Sequence, residues 1–157
     1  MRLKIAPNPK YPAVADAHQP WLEHLAALAA AIGPEERWVE LSFIDDADTR
    51  AVNREYRGID EPTDVLSFHY GSDTDGLAGA EADPEGEILV SVETASRQAE
   101  AEQRPLAEEL AVLVIHGLFH ILGHDHEGDE EAAAMAAAEA PFRQELRRYF
   151  ASPGERS

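Results

Sequence analysis

The stretch P-L-A-E-E-L-A-V-L-V-I-H-G-L-F-H-I-L-G-H-D-H, from Pro105 to His126, decides the architecture expected of this chain. Proline is tolerated where a helix begins, because the N–H it lacks would have no partner inside the helix. Glu108 and Glu109 come next in the first turn, facing the positive end of the helix dipole. Leu110, Leu113, Val114, Gly117, Leu118 and Ile121 then recur at helical spacing and make a broad apolar face. A helix with so wide an apolar face belongs in a core, and His116 and His120 stand at its edge.

The same stretch carries chemistry. His116 and His120 are i and i+4, so their imidazoles lie on one helical face about 6 Å apart and can reach one ion. Gly123 is positioned to end the helix in a left-handed turn and swing His126 back as a third ligand. Three neutral imidazoles on a tetrahedral ion leave one position open, as in catalytic zinc sites, and histidine-only ligation suits zinc best. The spacing is that of H-E-x-x-H-x-x-G-x-x-H zinc peptidases, but Gly117 stands where the peptidase carries its general base.

Outward from this helix, strands and helices alternate irregularly. Leu3-Lys4-Ile5 begins a short strand, and Pro7, Pro9 and Pro12 prevent regular structure after it. Pro20 opens a helix carrying Trp21, Leu25, Leu28 and Ile32, which Gly33-Pro34 ends. W-V-E-L-S-F-I, Trp38 to Ile44, alternates as a strand with one buried face. Asp46 or Asp48 caps a helix that runs to about Tyr56 and stops at Gly58. Val65 to Phe68 and Glu87 to Val92 read as strands, residues 71–85 as a long exposed loop, and Glu93 to Gln103 as a helix. Asp129 to Glu139 is Ala-rich helix that Pro141 breaks or kinks before Phe142–Phe150. The expected fold is α+β: a single domain over residues 1–157, with helices packed on a mixed sheet of about four strands and the metal site on a central helix.

Composition bounds the function. The chain has 157 residues, enough for one domain with a real core. No apolar run approaches the roughly 20 residues of a membrane span, and the N-terminus lacks the apolar segment of a secretory signal. With no cysteine, disulfides and thiolate metal sites are excluded, which fits a reducing cytoplasm. The net charge is −18, and Gly58 to Ser96 holds ten acids and no Lys or Arg. Such acidity disfavours nonspecific nucleic-acid binding unless basic groups are concentrated locally. Arg50, Arg54 and Arg57 form one such stripe on a helix, although on spacing alone ordinary pairing with Glu55, Asp46 or other acids explains it better. Glu109, seven residues before His116, is placed to orient a ligand imidazole or a water, or is simply a first-turn acid. His124 reads first as a filler beside the site, with fourth ligand and proton carrier as the other readings. Asp125 reads equally as a hydrogen-bond partner of a ligand imidazole and as a turn cap. His18, His24 and His69 have no partner pattern and read as structural or exposed.

Four blocks resemble one family. His116 to His126 is similar to the H-G-x-L-H-x-x-G-Y-D-H signature of the YbeY family, bacterial rRNA maturation factor endoribonucleases. N-R-E-Y-R-G-I-D-E-P-T-D-V-L-S-F, Asn53 to Phe68, resembles its N-x-x-Y-R-x-x-x-x-P-T-D-V-L-S-F block. G-E-I-L-V-S-V-E-T-A-S-R-Q-A, Gly86 to Ala99, resembles its G-D-I-x-I-S segment and the helix after it. Glu109 to Gly117 and the later pair Met135 and Glu139 also fit, so the resemblance spans roughly residues 40–140. His124 departs where tyrosine is common, His69 where proline often comes after S-F, and Phe119 where leucine is frequent; none is an expected ligand.

The resemblance implies a single zinc ion per chain held by His116, His120 and His126, and metal-dependent cleavage of single-stranded RNA. It further implies a part in 16S rRNA 3′-end maturation and ribosome quality control, with the small ribosomal subunit and a ribosomal protein or GTPase as partners. It maps the family's functional arginine onto Arg57, which would hold the phosphate and offset charge in the transition state. Two other readings stand beside it. One is a zinc peptidase, which Gly117 disfavours; the other is a non-catalytic metal-stabilised module that docks on the ribosome.

Overall fold

A computed structural model describes residues 1–12, 14, 19–70, 83–123 and 129–151. Four strands, β1 (Arg2–Ile5), β2 (Trp38–Ile44), β3 (Val65–His69) and β4 (Gly86–Ser91), form one sheet in the order β1-β2-β4-β3. β1, β2 and β4 run parallel, and β3 pairs antiparallel on the edge beside β4. Five helices accompany them: α1 (Pro20–Ala30), α2 (Asp46–Arg57), α3 (Val92–Glu102), α4 (Leu106–Gly123) and α5 (Asp129–Ala151). The α+β mixed sheet of four strands is therefore as the sequence predicts.

Strand alternation divides the sheet into two unlike faces. Val39, Leu41, Phe43, Ile88 and Val90 point to one side and join a core built from α1, α3, α4 and α5. α2 lies against the other side, where the Tyr56 ring meets Phe68 edge-on at 5.4 Å. α4 is the central element, touching β3, β4, α1, α3 and α5. By length and composition α4 is the one described helix that could cross a membrane. Its apolar surface is instead covered by the fold: Leu110, Ile115, Leu118 and Ile121 are all buried, each stabilising by about 1.5–3 kcal/mol.

Two glycines set how closely α4 and β3 approach β4. A Cβ on Gly117 would lie 3.1 Å from Ile88, and one on Gly86 would lie 2.3 Å from the Phe68 carbonyl oxygen. Gly117 thus faces the sheet, and a glutamate there would enter the core.

Several local expectations change. The N-cap of α2 is Asp45, not Asp46 or Asp48; its carboxylate accepts from the Asp48 N–H at 2.9 Å. Asp46 instead receives Ser91 Oγ and Thr94 Oγ1, each at 2.6 Å, and ties α2 to α3. β4 ends at Ser91, which caps α3, so Val92 is already helical. Of the break or kink expected at Pro141, the break does not occur: α5 continues through it. Glu139 before the proline and Leu146 and Phe150 after it are all buried, so packing holds both halves where a local rule expects a break. The left-handed turn expected at the end of α4 falls on residues 124–128, outside the described residues; among the described glycines, Gly33 and Gly58 have a positive φ. Gly123 serves packing, since a Cβ there would lie 2.7 Å from the Met135 methyl of α5. Of the predicted 71–85 loop, residues 71–82 lie outside the described residues.

Candidate metal centre

α4 brings His116 and His120 together as their spacing requires. Their Nε2 atoms stand 2.9 Å apart, with ring centroids at 4.4 Å and planes inclined at 76°. Both rings are partly exposed at the edge of the buried helix, so this point is open to solvent on one side. On its far side the His116 ring is fixed by a residue from α5. His116 Nδ1 lies 2.7 Å from Glu139 Oε1, and the Glu139 side chain is 4% exposed.

The hydrogen-bond logic assigns the proton. A buried carboxylate only accepts, so His116 Nδ1 carries hydrogen and donates to Glu139. In neutral imidazole, Nε2 of His116 then presents its lone pair toward Nε2 of His120. Two imidazole nitrogens aimed at one point, one of them backed by a carboxylate, are the donor set of a carboxylate–histidine–zinc arrangement. The residues present therefore fit a zinc ion. The third expected ligand, His126, falls with His124 and Asp125 in residues 124–128, outside the described residues. Among the described residues there is accordingly no group of three or more metal-binding side chains.

Glu109 is occupied elsewhere. It accepts from Arg104 Nε at 2.9 Å and Nη2 at 2.6 Å, a buried forked pair that anchors the start of α4. The carboxylate on the His116 imidazole is thus Glu139, 23 residues along the chain from it. Helical spacing could not have found it, and the only signal was its place in the family resemblance.

Pairing resolves most of the arginine stripe. Arg50 is bidentate on Asp60, at 2.8 and 3.1 Å, and Arg54 reaches the same carboxylate at 3.7 Å. The acid that pairs with them is Asp60, because the segment after Gly58 folds back along α2; Asn53 Nδ2 holds the Glu61 carbonyl at 2.9 Å. Arg57, the last residue of α2, is exposed. Its neighbour Tyr56 touches Phe68, whose carbonyl abuts Gly86, and Gly86 also abuts Ile121 beside His120. Arg57 and His120 therefore belong to the same end of the β3–β4 pair, on opposite faces. His69, also at that end, approaches Glu85 Oε1 at 3.4 Å, and His24 stacks on Tyr149 at 4.2 Å. His18 is outside the described residues.

Comparison with known proteins gives the family. Residues 9–147 match the family model described as Endoribonuclease YbeY. A Moorella thermoacetica protein of that name is 47% identical over 118 residues, covering 72% of this chain and 76% of that one. An Azorhizobium caulinodans protein of the same name is 39% identical over 130 residues, covering 81% of this chain and 80% of that one. A Thermotoga maritima protein known by its solution structure aligns with a TM-score of 0.62 at 25% identity, covering 99% of this chain and 95% of that one. By the extent of the family match and the identity of these relatives, the chain belongs to the YbeY endoribonuclease family.

Proposed function

We propose that this chain is a zinc-dependent endoribonuclease that cuts single-stranded RNA in the cytoplasm, acting in 16S rRNA 3′-end maturation and ribosome quality control. Family membership supports the reaction class. The observation that carries the metal dependence is the convergence of His116 and His120 Nε2 at 2.9 Å, with Glu139 holding the opposite nitrogen of His116. His126 supplies the third nitrogen in this reading.

A zinc ion bound there supplies a Lewis acid for a phosphoryl oxygen and makes a water acidic near neutral pH. The chain does the rest. Glu139 keeps the His116 proton on Nδ1, which fixes the ring and leaves Nε2 basic. Arg57 offers a guanidinium fork to the phosphate and offsets charge that develops on it. Arg104 retains Glu109, so proton transfer falls to His124 or Asp125 or to the acidic water itself. The small ribosomal subunit, with a ribosomal protein or a GTPase, is the proposed setting.

The peptidase reading loses support from Gly117, whose position faces Ile88 rather than the histidines. Cleavage of single-stranded RNA and of casein by wild type, His120→Ala and Arg57→Ala separates the readings. RNA cleavage in wild type alone is expected. Casein cleavage abolished by His120→Ala would contradict the proposal, and so would RNA cleavage undiminished in either variant.

A further inference from the structure

The sheet face opposite the metal centre carries a cavity of about 230 Å³ lined by Val52, Tyr56, Phe68, Tyr70, Glu87 and Leu89. Register explains the set. Phe68 pairs with Glu87 and Leu66 with Leu89, so these side chains project to the α2 side, and α2 supplies Val52 and Tyr56. Tyr56 is 66% exposed and Tyr70 51% exposed, two of the three exposed large hydrophobic residues among the described residues. Aromatic faces left open beside a small apolar floor are unusual on so polar a surface.

The polar groups here restrict the ligand. Tyr70 donates its hydroxyl proton to Glu87 Oε2, which fixes that carboxylate. Burial, and after it the Glu87 contact, holds the Tyr70 phenol neutral far above its usual range. Glu87 lines the cavity, and Glu40, its register partner on β2, adds a second carboxylate beside it on the same face. They repel a phosphate and offer only acceptors. A planar ring with two adjacent N–H donors suits them. Guanine has such an edge; uracil flanks its single N–H with carbonyls, and adenine and cytosine place a ring acceptor beside their amine.

We infer that the cavity between Tyr56 and Tyr70 is a nucleobase subsite that takes an unpaired guanine of the RNA, stacked on the tyrosines with its N–H edge on Glu87. Base stacking on aromatic side chains and reading of the Watson–Crick edge are the usual means of holding single-stranded RNA. The position suits the reaction: Arg57 succeeds Tyr56 at the end of α2, and His120 lies at the same end of the β3 edge, on the other face. A strand whose guanine sits in the cavity would cross the short edge strand beside Arg57, so that its next phosphate comes between the guanidinium and the histidines. An acidic surface thereby reads a base rather than a backbone. This rests on the endoribonuclease reading for its biological meaning, but the pocket can be tested apart from it.

The test is saturation-transfer NMR of the four free nucleosides with the full chain, alongside cleavage of single-stranded RNAs with and without guanine. Nucleosides carry no phosphate, so attraction between Arg57 and the RNA backbone does not contribute. Guanosine is expected to bind in preference to the other three. Tyr56→Ala, at an exposed position, should weaken it about tenfold through lost stacking. Glu87→Gln should weaken the preference, since the amide keeps one acceptor and turns the other atom into a donor facing guanine. Circular dichroism checks that both variants fold. No preference for guanosine in wild type, or an unchanged preference in Glu87→Gln, overturns the subsite. Guanosine binding without RNA cleavage upholds the subsite and overturns the endoribonuclease reading. RNA cleavage with no nucleoside preference does the reverse.

Discussion

His116 has two nitrogens with two different duties, and Glu139 divides them. A buried carboxylate on Nδ1 leaves Nε2 to be the ligand atom of the proposed zinc centre, so Glu139→Gln should weaken zinc binding by roughly 10–100-fold without removing a ligand. Competition with a chromophoric chelator measures this, and an unchanged affinity would show that the contact is only structural. Gly117 admits an equally sharp test. Its Cβ position lies 3.1 Å from a buried isoleucine, so Gly117→Ala should cost about 1–3 kcal/mol in urea unfolding. The histidine pair was readable from spacing alone, because i and i+4 on a helix is local geometry. Glu139 was not, because the contact joins two helices, and only its membership of a family pattern marked it. Arg50 and Arg54 went to Asp60 for a related reason: the turn at Gly58, with φ of 73°, folds later chain back onto α2.

At the scale of elements, periodicity carried most of the fold. The alternation of Trp38 to Ile44 matches β2 end to end, and the wide apolar face of 110–121 matches the buried side of α4. Rules about single residues did less well where packing opposed them, as at Pro141, which α5 passes because both flanking halves are anchored. The junction of α2 and α3 offers a pH test. Burial resists ionisation of Asp46, but Ser91, Thr94 and Arg97 together outweigh it and hold the carboxyl below its usual value of 3.8. A folded pKa below the unfolded one gives stability that is complete above 3.8 and lost as pH falls through the folded value. The stability gap between wild type and Asp46→Asn should therefore stay constant from neutral pH down to about 5 and close at lower pH. Thermal melts across that range measure it, and a gap that widens in acid would be inconsistent with this account.

At the scale of the molecule, a net charge of −18 confronts a polyanionic substrate. If Arg57 is the main phosphate contact, single-stranded RNA binding should depend weakly on salt, with a log–log slope between zero and about −0.7. A slope of about −3 or steeper would show that several basic groups, not Arg57 alone, contact the backbone. The acidity was plain in the composition, whereas its compatibility with RNA became intelligible only when the sheet register placed aromatic rings and a carboxylate in one cavity. The metal centre remains the hinge of the whole account. Zinc content after dialysis, measured by plasma mass spectrometry on wild type, His116→Ala and His120→Ala, tests it most directly. Wild type should retain one equivalent of zinc per chain and each variant should lose it; a metal-free wild type, or a variant that keeps its full complement, would contradict the account.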